Sequence, residues 1–169
     1  MSWVQAIFDF IRQFFPFEIV WSYQRGIRFW LGVDRKELPP GLYMFLPFFG
    51  HIETVNVMPD VMKLWKFTPT TKDGVALTVS ANIRYEITDA RAAFCAVQDY
   101  KDNLGDECRT HLAARIRDCT YQELLEDQKK IERLSKDTMT TAVKDYGVRI
   151  LRVGIVDFVK TKNLSLTQT

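Results

Sequence analysis

Cysteine is scarce in this 169-residue chain: Cys95, Cys108 and Cys119 make an odd set with no CxxC pair. All three fall in helix-like sequence, which points to buried free thiols in a reducing compartment. No run of 18 uninterrupted apolar residues occurs, so no ordinary transmembrane helix is expected. The N-terminus has neither a basic n-region nor a small-residue cleavage site, so no secretory signal is expected either. Catalytic motifs are equally absent, with no GxSxG, HExxH, P-loop or GxGxxG. His51 and His111 lie in different regions without a motif around them and read as exposed or structural. An excess of one charge is also lacking: 23 Lys and Arg face 21 Asp and Glu, a net charge of +2 that calls for no polyanionic partner. Lys129, Lys130 and Arg133 are too few, and too mixed with Glu123, Glu126 and Asp127, for a nucleic-acid footprint; that cluster reads as a solvated helix face. The chain is therefore read as non-enzymatic, with no cofactor, metal or nucleic-acid partner.

What is present is a globular composition, 47% hydrophobic and 26% charged, enough for one domain or two small lobes. Aromatics are abundant, and ten of them fall within the first thirty residues. On a helix, residues 2–15 place Gln5, Asp9, Arg12 and Gln13 within an arc of about 100°. Trp3, Val4, Ala6, Ile7, Phe8, Phe10, Ile11, Phe14 and Phe15 fill an opposite arc of about 200°. That face is too wide for an exposed helix, yet the polar stripe is too continuous for a spanning one. Two readings stay open: a helix lying in a membrane interface, or one packed on the domain or on a sister subunit.

The chain is organised around Lys72-Asp73-Gly74 and the stretch Val75 to Ile87. There Val75, Leu77, Val79, Ala81, Ile83, Tyr85 and Ile87 alternate with polar residues, the signature of a half-buried strand. Asp73-Gly74 supplies the entry turn. Before it, Phe17–Tyr23 and Ile27–Leu31 read as a hairpin about Gln24-Arg25-Gly26. Asp34 to Glu37 read as a charged loop. Pro39-Pro40-Gly41 leads into Leu42 to Gly50, some of which is expected to be core strand, with Pro47-Phe48-Phe49 as a possible loop tip. Ile52–Val57 and Val61–Phe67 read as strands. After Ile87 the period changes to 3.6. Thr88 or Asp89 caps a short helix; Leu104, Cys108, Leu112 and Ile116 mark the face of a second; Thr120 to Glu123 forms a capping box. A longer helix turns Ile131, Leu134, Thr138, Ala142 and Tyr146 inward and closes at Gly147. Val148–Val159 returns to strand, with a bulge near Ile150-Leu151. Strands followed by helices make the fold class α+β.

These residues together resemble the stomatin/prohibitin/flotillin (SPFH, or Band 7) domain, in its stomatin-like or bacterial form. Gly26, Leu31-Gly32 and Leu38-Pro39-Pro40-Gly41-Leu42 through Leu46-Pro47-Phe48 are similar to its first half. Thr71-Lys72-Asp73-Gly74-Val75 with Val79 to Tyr85 is similar to its central strand. Asp99-Tyr100, Leu124-Leu125 and Tyr146 to Val153 continue the likeness, which covers about residues 17 to 160. The resemblance implies an α+β domain, a curved mostly antiparallel sheet with a helical second lobe, preceded by the amphipathic helix. The expected division is 1–16 interface helix, 17–160 SPFH domain in two lobes and 161–169 flexible tail. It implies a non-catalytic scaffold on membrane lipids that self-assembles into a homo-oligomeric ring or cage. It also implies regulation of membrane proteins, such as a membrane protease or a channel client. It favours membrane contact through Trp3, Val4, Ile7, Phe8, Phe10, Ile11, Phe14 and Phe15, and through Tyr43, Phe45, Phe48 and Phe49, at the cytoplasmic face. Many relatives carry a spanning segment and a coiled coil; neither is legible here, so a smaller assembly, or insertion into another member's ring, is expected. The alternative is a soluble interaction module whose first helix docks on a partner or sister subunit.

Overall fold

A computed structural model of the chain describes residues 3, 5, 17–30, 36–44, 49–95 and 100–161. The order of elements is β1 (Phe17–Val20), β2 (Gln24–Trp30), β3 (Lys36–Leu38), β4 (Gly41–Met44), β5 (Gly50–Asn56), β6 (Asp60–Phe67) and β7 (Leu77–Ile87). Four helices follow, α1 (Ala90–Cys95), α2 (Tyr100–Asp118), α3 (Tyr121–Glu126) and α4 (Gln128–Ala142), then a 3₁₀ turn (Lys144–Tyr146) and β8 (Val148–Lys160). Among the described residues all the pairings are antiparallel and form three sheets, β1–β4, β3–β2–β5 and β6–β7–β8. The α+β class follows from the strand-then-helix order of the sequence.

β7 is the shared strand, flanked by β6 and β8. Its odd positions from Leu77 to Ile87 are all buried, as the alternation requires. They pack in one cluster with Leu104, Cys108, Leu112 and Ile116 of α2, each fully buried. Each such aliphatic side chain contributes about 1.5–3 kcal/mol by leaving water. Ile27 of β2 and Val55 of β5 join the same cluster and tie the first ladders to it.

Two bulges shape β8. One leaves Leu151 unmatched between the pairs Tyr85–Ile150 and Arg84–Arg152, where the phase slip in the sequence places it. A second leaves Val156 unmatched between Ala81–Ile155 and Ser80–Asp157. Beside the second, α4 occupies the outer edge of β8: Gln128 Nε2 donates to the Ile155 carbonyl at 3.0 Å, and the Ile155 N–H donates to Glu132 Oε1 at 2.9 Å. Side chains thereby satisfy an edge that would otherwise invite another strand.

Four sequence expectations are corrected. β1 and β2 do not form a hairpin; β1 pairs with β4, and the chain turns earlier, at Trp21 to Gln24. Lys36 and Glu37 are strand residues of β3, because Arg28 and Ile27 of β2 offer them partners. Of the run from Leu42 to Gly50, the described residues are not buried, and Phe45 to Phe48 lie outside the described residues. α4 turns Ile131, Ser135 and Met139 inward, while Leu134 and Thr138 are exposed. That stripe is spaced by four throughout and continues to buried Val143. Cys119 lies in the bend between α2 and α3, outside either helix.

Candidate membrane-facing surface

β1 and β4 form a two-stranded ribbon in which Phe17 stands opposite Met44 and Ile19 opposite Leu42. Directly opposed residues of an antiparallel pair share a face, so these four side chains form one apolar surface. Each is between 50% and 65% exposed. The other face of the ribbon carries Glu18, Val20 and Tyr43. Val20 is buried, and a Cβ at Gly26 would lie 2.9 Å from Val20 Cγ2, so the bare glycine lets the ribbon seat on β2. Tyr43 donates its hydroxyl to the Pro39 carbonyl at 2.7 Å, which holds the turn between β3 and β4.

Exposed aromatics stand elsewhere in this part of the fold. Trp21 stacks on Tyr23 with ring centroids 6.5 Å apart, and the half-buried Trp30 stacks on exposed Phe49 at 6.2 Å. An exposed apolar face such as the ribbon's is unusual on a protein that meets only water. Aromatic rings with a polar tip suit the boundary between apolar and wet surroundings.

Of the residues expected to touch lipid, Trp3 is helical and strongly exposed. Tyr43 lies on the ribbon's inner face and Phe49 is half exposed beside Trp30. Val4, Ile7, Phe8, Phe10, Ile11, Phe14, Phe15, Phe45 and Phe48 lie outside the described residues. The sequence reading missed Phe17, Ile19, Trp21, Leu42 and Met44. The signal was there: Phe17, Ile19 and Trp21 share one parity, and Leu42 and Met44 share another. Only the pairing of β1 with β4 places the two sets together.

No catalytic constellation accompanies this surface. Among the described residues, no three of His, Cys, Asp and Glu gather as a metal site, and no helix is long and apolar enough to cross a membrane. His51 stacks on Phe29 at 4.7 Å, and His111 Nε2 lies 3.2 Å from Glu107 Oε1 on its own helix. Burial pushes the Cys108 thiol up to about 12, the wrong direction for a nucleophile. A cleft of about 940 Å³ lies between the outer face of β6–β7–β8 and the start of α4, with Arg84, Arg152, Lys129 and Lys130 facing Glu126 and Asp127. It is open and charged, and holds neither a thiol, a serine nor a histidine.

The sequence is similar to those of known proteins. A stomatin homolog from Pyrococcus horikoshii is 26% identical over 140 residues, covering 83% of this chain and 53% of that protein. Stomatin-2 of Caenorhabditis elegans is 24% identical over 160 residues, 93% of this chain and 43% of the relative. Stomatin-like protein 1 of Mus musculus is 32% identical over 89 residues, 53% of this chain and 22% of the relative. The chain thus spans about half the length of the curated relatives it matches. The family model described as SPFH domain / Band 7 family matches residues 18–165, from the second residue of β1 to beyond the end of β8, and the chain belongs to that family.

Proposed function

We propose that this protein is a non-catalytic scaffold that lies on a bilayer, assembles with copies of itself, and organises lipids or regulates membrane proteins such as a protease or a channel. The observation that carries the membrane part is the ribbon, where pairing of Phe17 with Met44 and Ile19 with Leu42 leaves four large apolar side chains bare on one face. Exposed Trp3 in the preceding helical segment supports a second contact by residues 1–16, with 17–160 as the domain and 161–169 as a tail. Family membership supports the scaffold role. Each copy binds weakly, because ordering and lost motion offset much of the burial; assembly multiplies that binding through avidity. The cytoplasmic face fits the free thiols.

The test is flotation of the full chain with phosphatidylcholine vesicles, beside a variant carrying Ile19→Asp and Leu42→Lys. Both positions are exposed and the two new charges, directly opposed across the ribbon, are of opposite sign, so the variant keeps its fold. The expected result is that the unaltered chain floats and the variant stays in the dense fraction. A variant that floats undiminished overturns the assignment of the ribbon. If neither floats and the variant instead loses an oligomer, the ribbon docks on a sister subunit or another SPFH assembly, and the protein is a soluble interaction module.

A further inference from the structure

Arg28 stands where the apolar surface stops. On β2, Arg28 and Trp30 share a face, and pairing sets Lys36 of β3 directly opposite Arg28. Trp30 ends the strand and stacks on Phe49, and the Arg28 guanidinium lies over the Trp30 ring at 5.6 Å. Arg28 Nη2 reaches the carbonyl of Met44, the last residue of β4, at 3.5 Å.

Three features mark this arginine as short of partners. Its Nε is buried and makes no hydrogen bond. Its contact with Met44 lies beyond the usual N–H···O range and engages one of five N–H donors. Among the described residues no carboxylate pairs with it, whereas Arg25 on the same strand pairs with Glu37 at 3.7 Å. The residue opposite is another cation, Lys36, an arrangement that costs stability in a sheet.

A guanidinium fork and an ammonium held across one strand pair form a donor set for phosphate oxygens. The Arg28 guanidinium reaches the Met44 carbonyl and lies over Trp30, which stacks on the exposed Phe49, so the phosphate that meets it is one carried at an apolar boundary. We propose that Arg28, with Lys36, binds the headgroup phosphate of anionic phospholipids, which no choline cation already neutralises, and makes the domain prefer anionic bilayers. This rests on the membrane-facing reading above and adds a headgroup contact to it.

The experiment compares flotation of the full chain on vesicles of phosphatidylcholine alone and of equal parts phosphatidylcholine and phosphatidylglycerol. Arg28→Gln and Lys36→Gln are tested beside Arg84→Gln, a distant surface cation that controls for net charge. Lys36 is exposed at a sheet edge, so its variant folds whatever becomes of Arg28. The unaltered chain is expected to bind the anionic vesicles more tightly. Each site variant is expected to lose about fivefold of that gain while binding phosphatidylcholine as before. Arg84→Gln is expected to keep the gain, and Arg28→Lys to keep part of it. Equal binding to both vesicle types, or site variants no different from Arg84→Gln, overturns the headgroup site and leaves the membrane reading standing. A chain that binds neither vesicle overturns both.

Discussion

The carboxylate of Asp73 accepts the backbone N–H of Tyr121 at 2.9 Å, joining the turn before β7 to the first residue of α3 across 48 positions of sequence. Beside it the Lys72 N–H donates to the Cys119 carbonyl at 2.9 Å. The turn that starts the central strand is thereby also a cap on a helix, and it fixes the helical lobe to the sheet. Asp73→Ala is expected to cost about 1 kcal/mol, the usual loss of a side-chain cap. Asp73→Asn, which keeps an acceptor oxygen, is expected to lose only a fraction of that. Urea unfolding midpoints of the two variants measure the difference.

The same helix carries a second cap with a pH signature. Glu123 accepts the Thr120 N–H at 2.8 Å, while the Glu123 N–H donates to Thr120 Oγ1 at 3.2 Å. The backbone hydrogen bond from Thr120 holds the Glu123 carboxyl below its ordinary value of 4.5, with the Thr120 side chain adding to it. Because the folded value is lowered, the stabilisation is fully present above 4.5 and is lost as pH falls through the folded value. Glu123→Gln keeps an acceptor but cannot titrate. Its stability is expected to fall less steeply than the parent's below pH 4.5, which thermal melts across the acid range read directly. Parallel slopes would remove Glu123 from the acid limb.

The Asp73 cap on Tyr121, reached across 48 positions, was not legible, but the Thr120–Glu123 cap was, because it is local: its geometry lies in the spacing, as does that of the period-two face from Leu77 to Ile87. The stripe of Leu104, Cys108, Leu112 and Ile116 was legible for the same reason, being spaced by four throughout. What the sequence could not reveal was partner choice between distant strands. Phe17–Val20 pairs with Gly41–Met44 although a nearer strand follows it, and no local residue pattern distinguishes the two pairings. The exposed apolar surface follows from that choice alone, so Phe17, Ile19, Leu42 and Met44 were invisible as a site. The inward face of α4 was misread because Leu134 is a stronger apolar signal than Ser135, yet phase with Ile131 and Met139 decides burial.

The outer face of β7–β8 contrasts two neighbouring cross-strand pairs. Glu86 stands opposite Arg149, whose Nε donates to Glu86 Oε1 at 2.8 Å. Arg84 stands opposite Arg152, and no described carboxylate pairs with either. Directly opposed like charges destabilise a sheet by as much as opposite charges stabilise it, about 0.2–1 kcal/mol. Arg152→Glu is therefore expected to raise stability by an amount within that range, and Glu86→Arg to lower it comparably. High salt should shrink both effects, since the residues are near the surface. Chemical denaturation at low and high ionic strength tests all four values.

Gly147 carries the junction between the last turn and β8, and its replacement should be the costliest single change away from the apolar core. Its φ is 65°, a left-handed conformation that a side chain resists. A Cβ there would also lie 2.8 Å from Ala92 Cβ and collide with the Asp89 carbonyl. The same residue's carbonyl accepts the Thr88 N–H at 2.8 Å, the Asp89 N–H at 3.1 Å and the Thr88 hydroxyl at 3.1 Å. The end of β7, the start of α1 and the start of β8 thus meet at one peptide. Gly147→Ala adds backbone strain to a steric clash with main chain that cannot swing aside, and is expected to cost at least about 2 kcal/mol. Gly74 also has a positive φ, 76°, but a Cβ there would meet nothing within 4 Å. Gly74→Ala is therefore expected to cost about 1 kcal/mol, from strain alone. The gap between the two variants in urea unfolding isolates the clash. Equal losses would mean that Asp89 and Ala92 yield, and that α1 is not anchored through Gly147.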